Sequence, residues 1–153
     1  MVLLEDTRNQ PGKHKNIAAY CKQQGIEIVR SKLVVGDYQI AGKGDIVVDT
    51  KASVAEIAGN VFQDHLRFRA ECELAQRCGI RLIILIEEVL PGGRLDHWRS
   101  PMAKDGSPKY RFNPETLRKA LYTMQDKYGI LVRFCDGRST GKVLIEYLKG
   151  ERK

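Results

Sequence analysis

The sequence lacks any apolar run long enough to cross a membrane. A transmembrane helix needs roughly 20 consecutive apolar residues, and no stretch of this chain approaches that length. The chain also turns acidic at Glu5 and Asp6, which is too early for a secretory signal peptide. These two absences predict an intracellular, cytoplasmic protein that has no membrane contact.

The chain also lacks the cysteine and histidine patterns of a zinc site. None of its 4 cysteines belongs to a CxxC pair, and its 3 histidines form no cluster in the sequence. Cys72 and Cys78 fall on different faces of one predicted helix, so they would not share a metal ion. We therefore expect free thiols in a reducing compartment, no zinc and no small-molecule cofactor.

What the sequence does contain is the composition of a basic globular domain. It has 153 residues, of which 42% are hydrophobic and 29% charged, so residues 1–153 are expected to form a single domain. Its formal net charge is +7, from 26 Lys and Arg against 19 Asp and Glu. This charge favours a polyanionic partner such as DNA, because neutralising phosphates releases counterions.

The stretch from Val34 to Lys51 carries the most informative pattern. Two β-branched runs joined by a glycine-rich turn predict a β-hairpin, with Asp37 on the first strand and Asp49 and Lys51 at the end of the second. Because strand side chains alternate, Asp49 and Lys51 share one face and Thr50 points away; Asp37 would join them if it faced the same side. Two carboxylates suit Mg²⁺ bound with substrate phosphates, and a lysine beside the metal could orient a water molecule. The pattern predicts a metal-dependent phosphodiester hydrolase.

Gly36-Asp37-Tyr38, followed at hairpin distance by Val48-Asp49-Thr50-Lys51, resembles the XPF-type nuclease domain of the PD-(D/E)xK superfamily. That family has GDY, a linker and then VERK, so Asp49 and Thr50 stand here in place of its Glu and Arg. The resemblance implies an α/β, restriction-endonuclease-like fold with a central mixed sheet flanked by helices. It also implies a DNA endonuclease that uses Mg²⁺, or Mn²⁺ in its place. Asp37 and Asp49 would then be metal ligands and, with Lys51, catalytic residues.

The same resemblance suggests what the enzyme cuts and how it assembles. It implies action on branched or flapped DNA in recombination, repair or replication, and a homodimer of paired nuclease domains. A small nuclease domain standing alone fits a phage or mobile-element enzyme. Two other interpretations stay open: a DNA-binding partner subunit whose active site has decayed, and a Holliday-junction resolvase or restriction nuclease of the same superfamily.

The first strand ends in a second motif of this family. Asp6-Thr7-Arg8-Asn9 is similar to the family's DxRE motif, with Asn9 in place of its glutamate. The resemblance makes Asp6 a third metal ligand and Arg8 a DNA contact. Alternatively, Asp6 simply ends the strand and pairs with Arg8.

Ala55 occupies another position at which the family has an acidic residue. The neighbouring Glu56 could substitute for it, or it could instead form a capping box with Ser53. Decay of an active site would replace acidic residues by neutral ones, as at Ala55 and Asn9. The acidic and basic residues of the hairpin, by contrast, all retain workable chemistry.

Residues 61–78 are predicted to form one helix whose apolar residues recur every four positions. Arg67 and Arg69 lie outside this stripe, and both are candidate DNA contacts. Arg67 matches the family's arginine on this helix, which implies a contact with phosphate; a surface ion pair with Glu71 is the alternative. The stripe consists of Phe62, Leu66, Ala70, Leu74 and Cys78.

Residues 81–87 form a continuous apolar run, which predicts a central strand covered on both faces. Residues 89–113 then break all periodicity with prolines and glycines, which predicts a long irregular loop. Its basic residues alternate with Trp98, Tyr110 and Phe112, a combination suited to DNA backbones and unpaired bases; a plain mobile insertion is the alternative. The candidate DNA contacts are Arg94, Arg99, Lys104, Lys109 and Arg111.

Overall fold

The computed structural model describes residues 1–153 and has the predicted α/β architecture. Strands β1 to β6 are Val2–Glu5, Glu27–Arg30, Tyr38–Ile40, Lys43–Lys51, Arg81–Ile86 and Leu131–Phe134. Helices α1 to α5 are Lys15–Gln23, Val54–Phe62, His65–Arg77, Pro114–Tyr128 and Thr140–Leu148. None of these helices is both long enough and apolar enough to span a bilayer.

The six strands form one mixed sheet in the order β2-β1-β3-β4-β5-β6. The pairs β1–β2, β4–β5 and β5–β6 are parallel, while β3 is antiparallel to both β1 and β4. Strand β3 therefore runs against all the others. As a result, the start of β3 lies at the same edge of the sheet as the carboxyl ends of its two neighbours.

Helices cover both faces of the sheet and create two hydrophobic cores. The larger core contains residues of α2, α3 and α4, and the other contains residues of α1 and α5. Strand β5 contributes Leu82, Ile84 and Ile86 to the first core and Ile83 and Leu85 to the second. The prediction that this strand is central and covered on both faces is confirmed.

The predicted hairpin is present, but Asp37 is not on its first strand. Gly36 has a φ of 72°, a left-handed conformation that does not continue an extended strand, so β3 begins only at Tyr38. The turn between β3 and β4 contains only Ala41 and Gly42. Asp37 therefore occupies the bend immediately before the strand.

The prediction of one helix over residues 61–78 is wrong in its boundaries and its buried face. The segment is divided between α2 and α3, and the buried residues of α3 are Phe68, Cys72 and Ala75. Phe62 and Leu66 of the predicted stripe are exposed. A strict four-residue repeat advances about 400° per step and so drifts about 40° around a helix of 3.6 residues per turn. Over a long helix such a stripe leaves the buried face.

Residues 89–113 are irregular, but their first part is tied to the larger core. Leu90, Leu95 and Trp98 are buried there, and Trp98 Nε1 donates a hydrogen bond to Glu88 Oε2 at 2.5 Å. The Trp98 ring stacks on Phe112 with 4.9 Å between ring centroids. Of the aromatic residues interleaved with the basic ones, Trp98 thus packs within the protein and is not free to stack on DNA bases.

Candidate active site

The reversed direction of β3 brings four predicted site residues to one edge of the sheet. Asp6 directly follows β1, Asp49 and Lys51 stand at the end of β4, and Asp37 precedes β3. Backbone hydrogen bonds fix Asp37 between its neighbours: its N–H donates to Val48 O at 2.9 Å, and its carbonyl accepts the Asp6 N–H at 2.8 Å. Carboxyl ends of parallel strands are a common location of ligand sites in α/β proteins.

These four residues line a cleft of about 500 Å³. The chain contains only three buried side-chain polar atoms that lack a hydrogen-bond partner, and the residues that carry them all line this cleft. They are Asn9 Nδ2, Asp49 Oδ2 and Asn60 Oδ1. Buried polar atoms are nearly always paired, because leaving one unpaired costs free energy. Their concentration in one cleft indicates that it is built to receive a ligand.

Asp49 and Lys51 form the buried charged centre of the cleft. Lys51 Nζ lies 3.0 Å from Asp49 Oδ2 as an ion pair, although the contact lacks the alignment of a hydrogen bond. Burial raises the pKa of Asp49 well above its ordinary value, and the nearby charges of Asp37 and Glu71 raise it further, while Lys51 opposes them. Without a cation, Asp49 therefore holds a proton more readily than an ordinary aspartate.

Lys51 remains protonated despite its burial. Burial alone lowers its pKa, but the charge and proximity of Asp49, followed by the charges of Glu56 and Glu71, outweigh that effect and raise the pKa above its ordinary value. The shifts at Asp49 and Lys51 have a common origin, since several carboxylates surround a single ammonium group. Lys51 is consequently a donor of hydrogen bonds and positive charge.

Thr50 holds the carboxylate of Asp37. Its backbone N–H and its hydroxyl donate to Asp37 Oδ2 at 2.8 Å and 2.7 Å, and Asp37 Oδ1 accepts no hydrogen bond from the protein. As expected from strand alternation, Thr50 does not line the cleft with Asp49 and Lys51. No local sequence pattern indicates this role, because the contact joins a residue of β4 to a bend residue 13 positions earlier in the chain.

Both carboxylate oxygens of Asp6 accept hydrogen bonds from neighbouring protein groups. Oδ2 accepts hydrogen bonds from Arg8 Nε at 2.6 Å and Arg8 N at 3.2 Å, and Oδ1 accepts one from Leu33 N at 2.9 Å. Burial raises the pKa of Asp6, but the hydrogen bonds and charge of Arg8, with the Leu33 N–H, more than offset it, so the pKa is lowered. The geometry favours the alternative in which Asp6 ends the strand and pairs with Arg8.

Glu56 has a capping role at the start of α2. The Glu56 N–H donates to Ser53 Oγ at 3.1 Å, and its carboxylate accepts the Ala52 N–H at 2.6 Å. These two bonds satisfy backbone donors that have no partner within the helix. Glu56 is also absent from the residues that line the cleft, so the capping explanation is the one the structure supports.

The candidate DNA-binding residues are not all gathered at the cleft. Arg8 and Arg67 line it, and Arg67 forms no ion pair with Glu71, which instead accepts a hydrogen bond from Gly36 N. Arg69 is exposed outside the cleft, and Arg94 pairs with Asp96 at 2.7 Å. The remaining basic candidates are exposed residues of the 89–113 segment and do not line the cleft: Arg99, Lys104, Lys109 and Arg111.

The donors in the cleft suit a divalent cation that keeps part of its water shell. No three side chains of Asp, Glu, His or Cys lie close enough together to hold an ion by themselves. Mg²⁺, however, commonly binds through one or two carboxylates and completes its coordination with waters and substrate phosphates. Asp49 Oδ2, which accepts no hydrogen bond, and the carboxylate of Asp37 in the same cleft match that requirement.

A comparison with protein families finds a match over most of the chain. The sequence profile of the ERCC4 domain matches residues 6–147. The chain belongs to the ERCC4 domain family. The resemblance to XPF-type nucleases that the hairpin and strand-end motifs indicated is thereby confirmed. Comparison with curated proteins gave no match.

Solved structures show the same ERCC4 fold. XPF from Aeropyrum pernix superimposes with a TM-score of 0.68 at 17% sequence identity, over 100% of this chain and 62% of that protein. XPF from Aeropyrum pernix in complex with DNA gives a TM-score of 0.68 at 18% identity, over 98% of this chain and 64% of that protein. The chain thus spans less than two thirds of these relatives, and the likeness confirms the predicted α/β fold.

Proposed function

We propose that this ERCC4 domain is a divalent-metal-dependent DNA endonuclease and that the cleft at the sheet edge is its active site. Family membership supports endonuclease activity on structured DNA. The observation that carries the proposal is the set of three buried polar atoms without a hydrogen-bond partner in the one cleft that also contains Asp37 and Lys51. The net charge of +7 is compatible with a polyanionic substrate.

Asp37 and Asp49 are the proposed metal ligands, with Mg²⁺ as the preferred ion and Mn²⁺ as a substitute. A divalent cation bound there would lower the pKa of a coordinated water and offset negative charge on the scissile phosphate. Asp6 is retained as a third candidate, although it would have to release a hydrogen bond from Arg8 in order to bind. Because ligands must be deprotonated, the cation competes with the proton on Asp49.

The cationic side chains have separate proposed tasks. Lys51, whose raised pKa keeps it charged, would donate hydrogen bonds to the attacking water or to a phosphate oxygen rather than remove a proton. Arg67 lines the cleft without an ion-pair partner, so its guanidinium is free to contact the DNA backbone. Arg8, Arg69 and the basic residues of the 89–113 segment would contact phosphates farther along the DNA.

The proposed substrate is branched or flapped DNA, and the proposed setting is recombination, repair or replication, including those of a phage or mobile element. The solved XPF bound to DNA supports DNA as the partner. We further propose that two copies of the chain pair as a homodimer. Sedimentation equilibrium at micromolar concentration tests this point separately, with a dimer mass as the expected result.

The decisive experiment compares cleavage of linear duplex, flapped, splayed-arm and four-way DNA with Mg²⁺ or Mn²⁺. We expect metal-dependent cutting of flapped or splayed-arm DNA, loss of cutting with EDTA, and loss of cutting in Asp37→Asn. Symmetrical cutting of four-way DNA alone would indicate a resolvase instead. Sequence-specific cutting of linear duplex would indicate a restriction nuclease.

A second candidate function is a catalytically inactive DNA-binding subunit. Asn9 stands where the family's motif has glutamate, and no three carboxylates of the cleft lie close enough together to hold a metal ion by themselves. Tight binding of branched DNA without cutting in either metal would support this candidate. Restoration of cutting by Asn9→Glu would then show that the missing carboxylate is the reason.

A further inference from the structure

A chain of buried hydrogen bonds runs behind the cleft from Glu5 to Asp37. The Tyr38 hydroxyl donates to Glu5 Oε2 at 2.7 Å and lies 2.6 Å from His14 Nδ1. His14 Nε2 lies 3.2 Å from Thr50 Oγ1, and the Thr50 hydroxyl donates to Asp37 Oδ2 at 2.7 Å. Tyr38, Thr50 and His14 are 0%, 4% and 8% exposed, so water hardly reaches these contacts.

His14 joins the two halves of this chain. The Tyr38 and Thr50 hydroxyls donate to the carboxylates of Glu5 and Asp37. Each hydroxyl oxygen also lies within hydrogen-bond distance of one ring nitrogen of His14. The imidazole therefore bridges the two hydroxyls.

The surroundings favour this arrangement. Every polar side chain of this network has a hydrogen-bond partner, and a buried network that is fully satisfied holds its members rigidly. Burial, followed by the hydrogen bond to Glu5, raises the pKa of Tyr38, so its hydroxyl keeps the hydrogen that it donates. The Tyr38 and His14 rings also pack together, with 5.5 Å between their centroids.

The position of His14 in α1 points to a role outside the helix. His14 is the N-cap residue, yet its side chain makes no capping hydrogen bond. A Ser, Thr, Asp or Asn at such a position stabilises a helix by accepting a hydrogen bond from a backbone N–H of its first turn. The chain forgoes that stabilisation and directs the imidazole to Thr50 and Tyr38.

We propose that His14 is a positioning residue which, acting through Thr50, fixes the carboxylate of Asp37 for metal binding. Thr50 donates two hydrogen bonds to Asp37 Oδ2, and Asp37 Oδ1 accepts none from the protein. This inference rests on the proposed function of the cleft. It adds His14, Tyr38 and Thr50 as a supporting layer behind the proposed metal ligand.

The first test is NMR of the histidine side chains in the metal-free protein at pH 7. His14→Gln identifies the signals of His14 by their disappearance, against the exposed His65 and His97. We expect a ring hydrogen of His14 that exchanges slowly with water, because it lies in a buried hydrogen bond, and we expect Thr50→Val to shift the His14 ring signals. Ring signals that Thr50→Val leaves unmoved would overturn the proposal, and this measurement requires no DNA substrate.

The second test measures Mn²⁺ binding by calorimetry in Thr50→Val and Thr50→Ser. Valine has nearly the shape of threonine but lacks the hydroxyl, whereas serine keeps it. We expect Thr50→Val to bind Mn²⁺ about 10-fold to 100-fold more weakly, as is usual when a group that supports a metal ligand is lost, and Thr50→Ser to bind within about 3-fold of wild type. His14→Gln should weaken binding in the same direction as Thr50→Val.

The outcomes separate this inference from the proposed function. If Thr50→Val binds Mn²⁺ like wild type while Asp37→Asn does not bind, the positioning role is wrong and the active-site proposal stands. If the NMR and Mn²⁺ results are as expected but wild type cuts no DNA, the positioning role stands and the nuclease proposal is wrong.

Discussion

The backbone N–H of Gly36 donates a hydrogen bond to Glu71 Oε1 at 3.2 Å. This contact ties the bend that presents Asp37 to helix α3. On its other side the bend packs tightly on β4: a Cβ placed on Gly36 would lie 2.5 Å from Val47 Cγ1 and 3.3 Å from Val48 O. The position of Asp37 therefore depends on a residue without a side chain directly before it.

Gly36→Ala should lower the free energy of unfolding by about 2–4 kcal/mol, because backbone strain at a φ of 72° adds to overpacking against Val47. Urea unfolding of wild type and variant measures the loss. Gly42→Ala is the matched control, since Gly42 has a φ of 82° but no atom within 4 Å of the added Cβ. It should cost about 1 kcal/mol from strain alone. Equal losses in the two variants would contradict the close packing.

Asp49→Asn should stabilise the metal-free protein at neutral pH. The pKa of Asp49 is higher in the folded protein than in the unfolded chain. Protonation of Asp49 therefore stabilises the fold fully below the unfolded pKa of about 3.8, and this stabilisation is lost as the pH rises through the folded pKa. Asparagine removes the buried charge, and we expect the Tm at pH 7 to rise by about 2–4 °C, which corresponds to about 1 kcal/mol.

The pH dependence provides the control for this prediction. The gain in Tm should shrink as the pH falls toward the unfolded pKa of about 3.8, because the raised pKa of Asp49 favours its protonation in the folded protein. Asp45→Asn changes an exposed carboxylate on the same strand and should shift the Tm by less than about 1 °C. A lower Tm for Asp49→Asn at pH 7 would contradict this prediction, because it would show that the Asp49 carboxylate stabilises the metal-free fold.

The sequence was sufficient to predict the fold because the relevant signals are local. The apolar run of β5, the hairpin around Gly42 and the Asn113-Pro114 start of α4 are each contained in a few neighbouring residues. The face of α3 was predicted wrongly because its apolar residues support two different stripes. Only the packing of Phe68 against the larger core decides between them.

The candidate site could be predicted only in part. Asp49 and Lys51 lie two residues apart on one strand, so alternation alone places them together. The contacts of Asp37 with Thr50, of Thr50 with His14 and of Gly36 with Glu71 join residues 13, 36 and 35 positions apart. No local pattern encodes such pairs, and they depend on the order of strands in the sheet.

Arg67→Ala should weaken DNA binding more than Arg69→Ala. Both arginines are exposed on α3, but only Arg67 lines the cleft. We expect Arg67→Ala to lower affinity for flapped DNA about 10-fold and to reduce the dependence of log K on log salt by about 1, as expected for one lost phosphate contact. Arg69→Ala should weaken binding by a smaller factor, because its proposed phosphate contact lies outside the cleft. Fluorescence anisotropy over a range of salt concentrations measures both quantities. Equal effects of the two substitutions would contradict a specific DNA contact of Arg67 at the cleft.

The central claim is that the cleft cuts DNA with the help of Lys51, and single-turnover cleavage of a labelled flap substrate with Mg²⁺ tests it most directly. Wild type should cut, and Lys51→Ala should cut at least about 100-fold more slowly, as is typical when a donor that stabilises transition-state charge is removed. Its DNA affinity should stay within about 3-fold of wild type, because one buried lysine contributes little to the DNA-binding surface. If Lys51→Ala cuts at the wild-type rate, the active site lies elsewhere; if wild type binds the flap but never cuts it, the chain is not a nuclease.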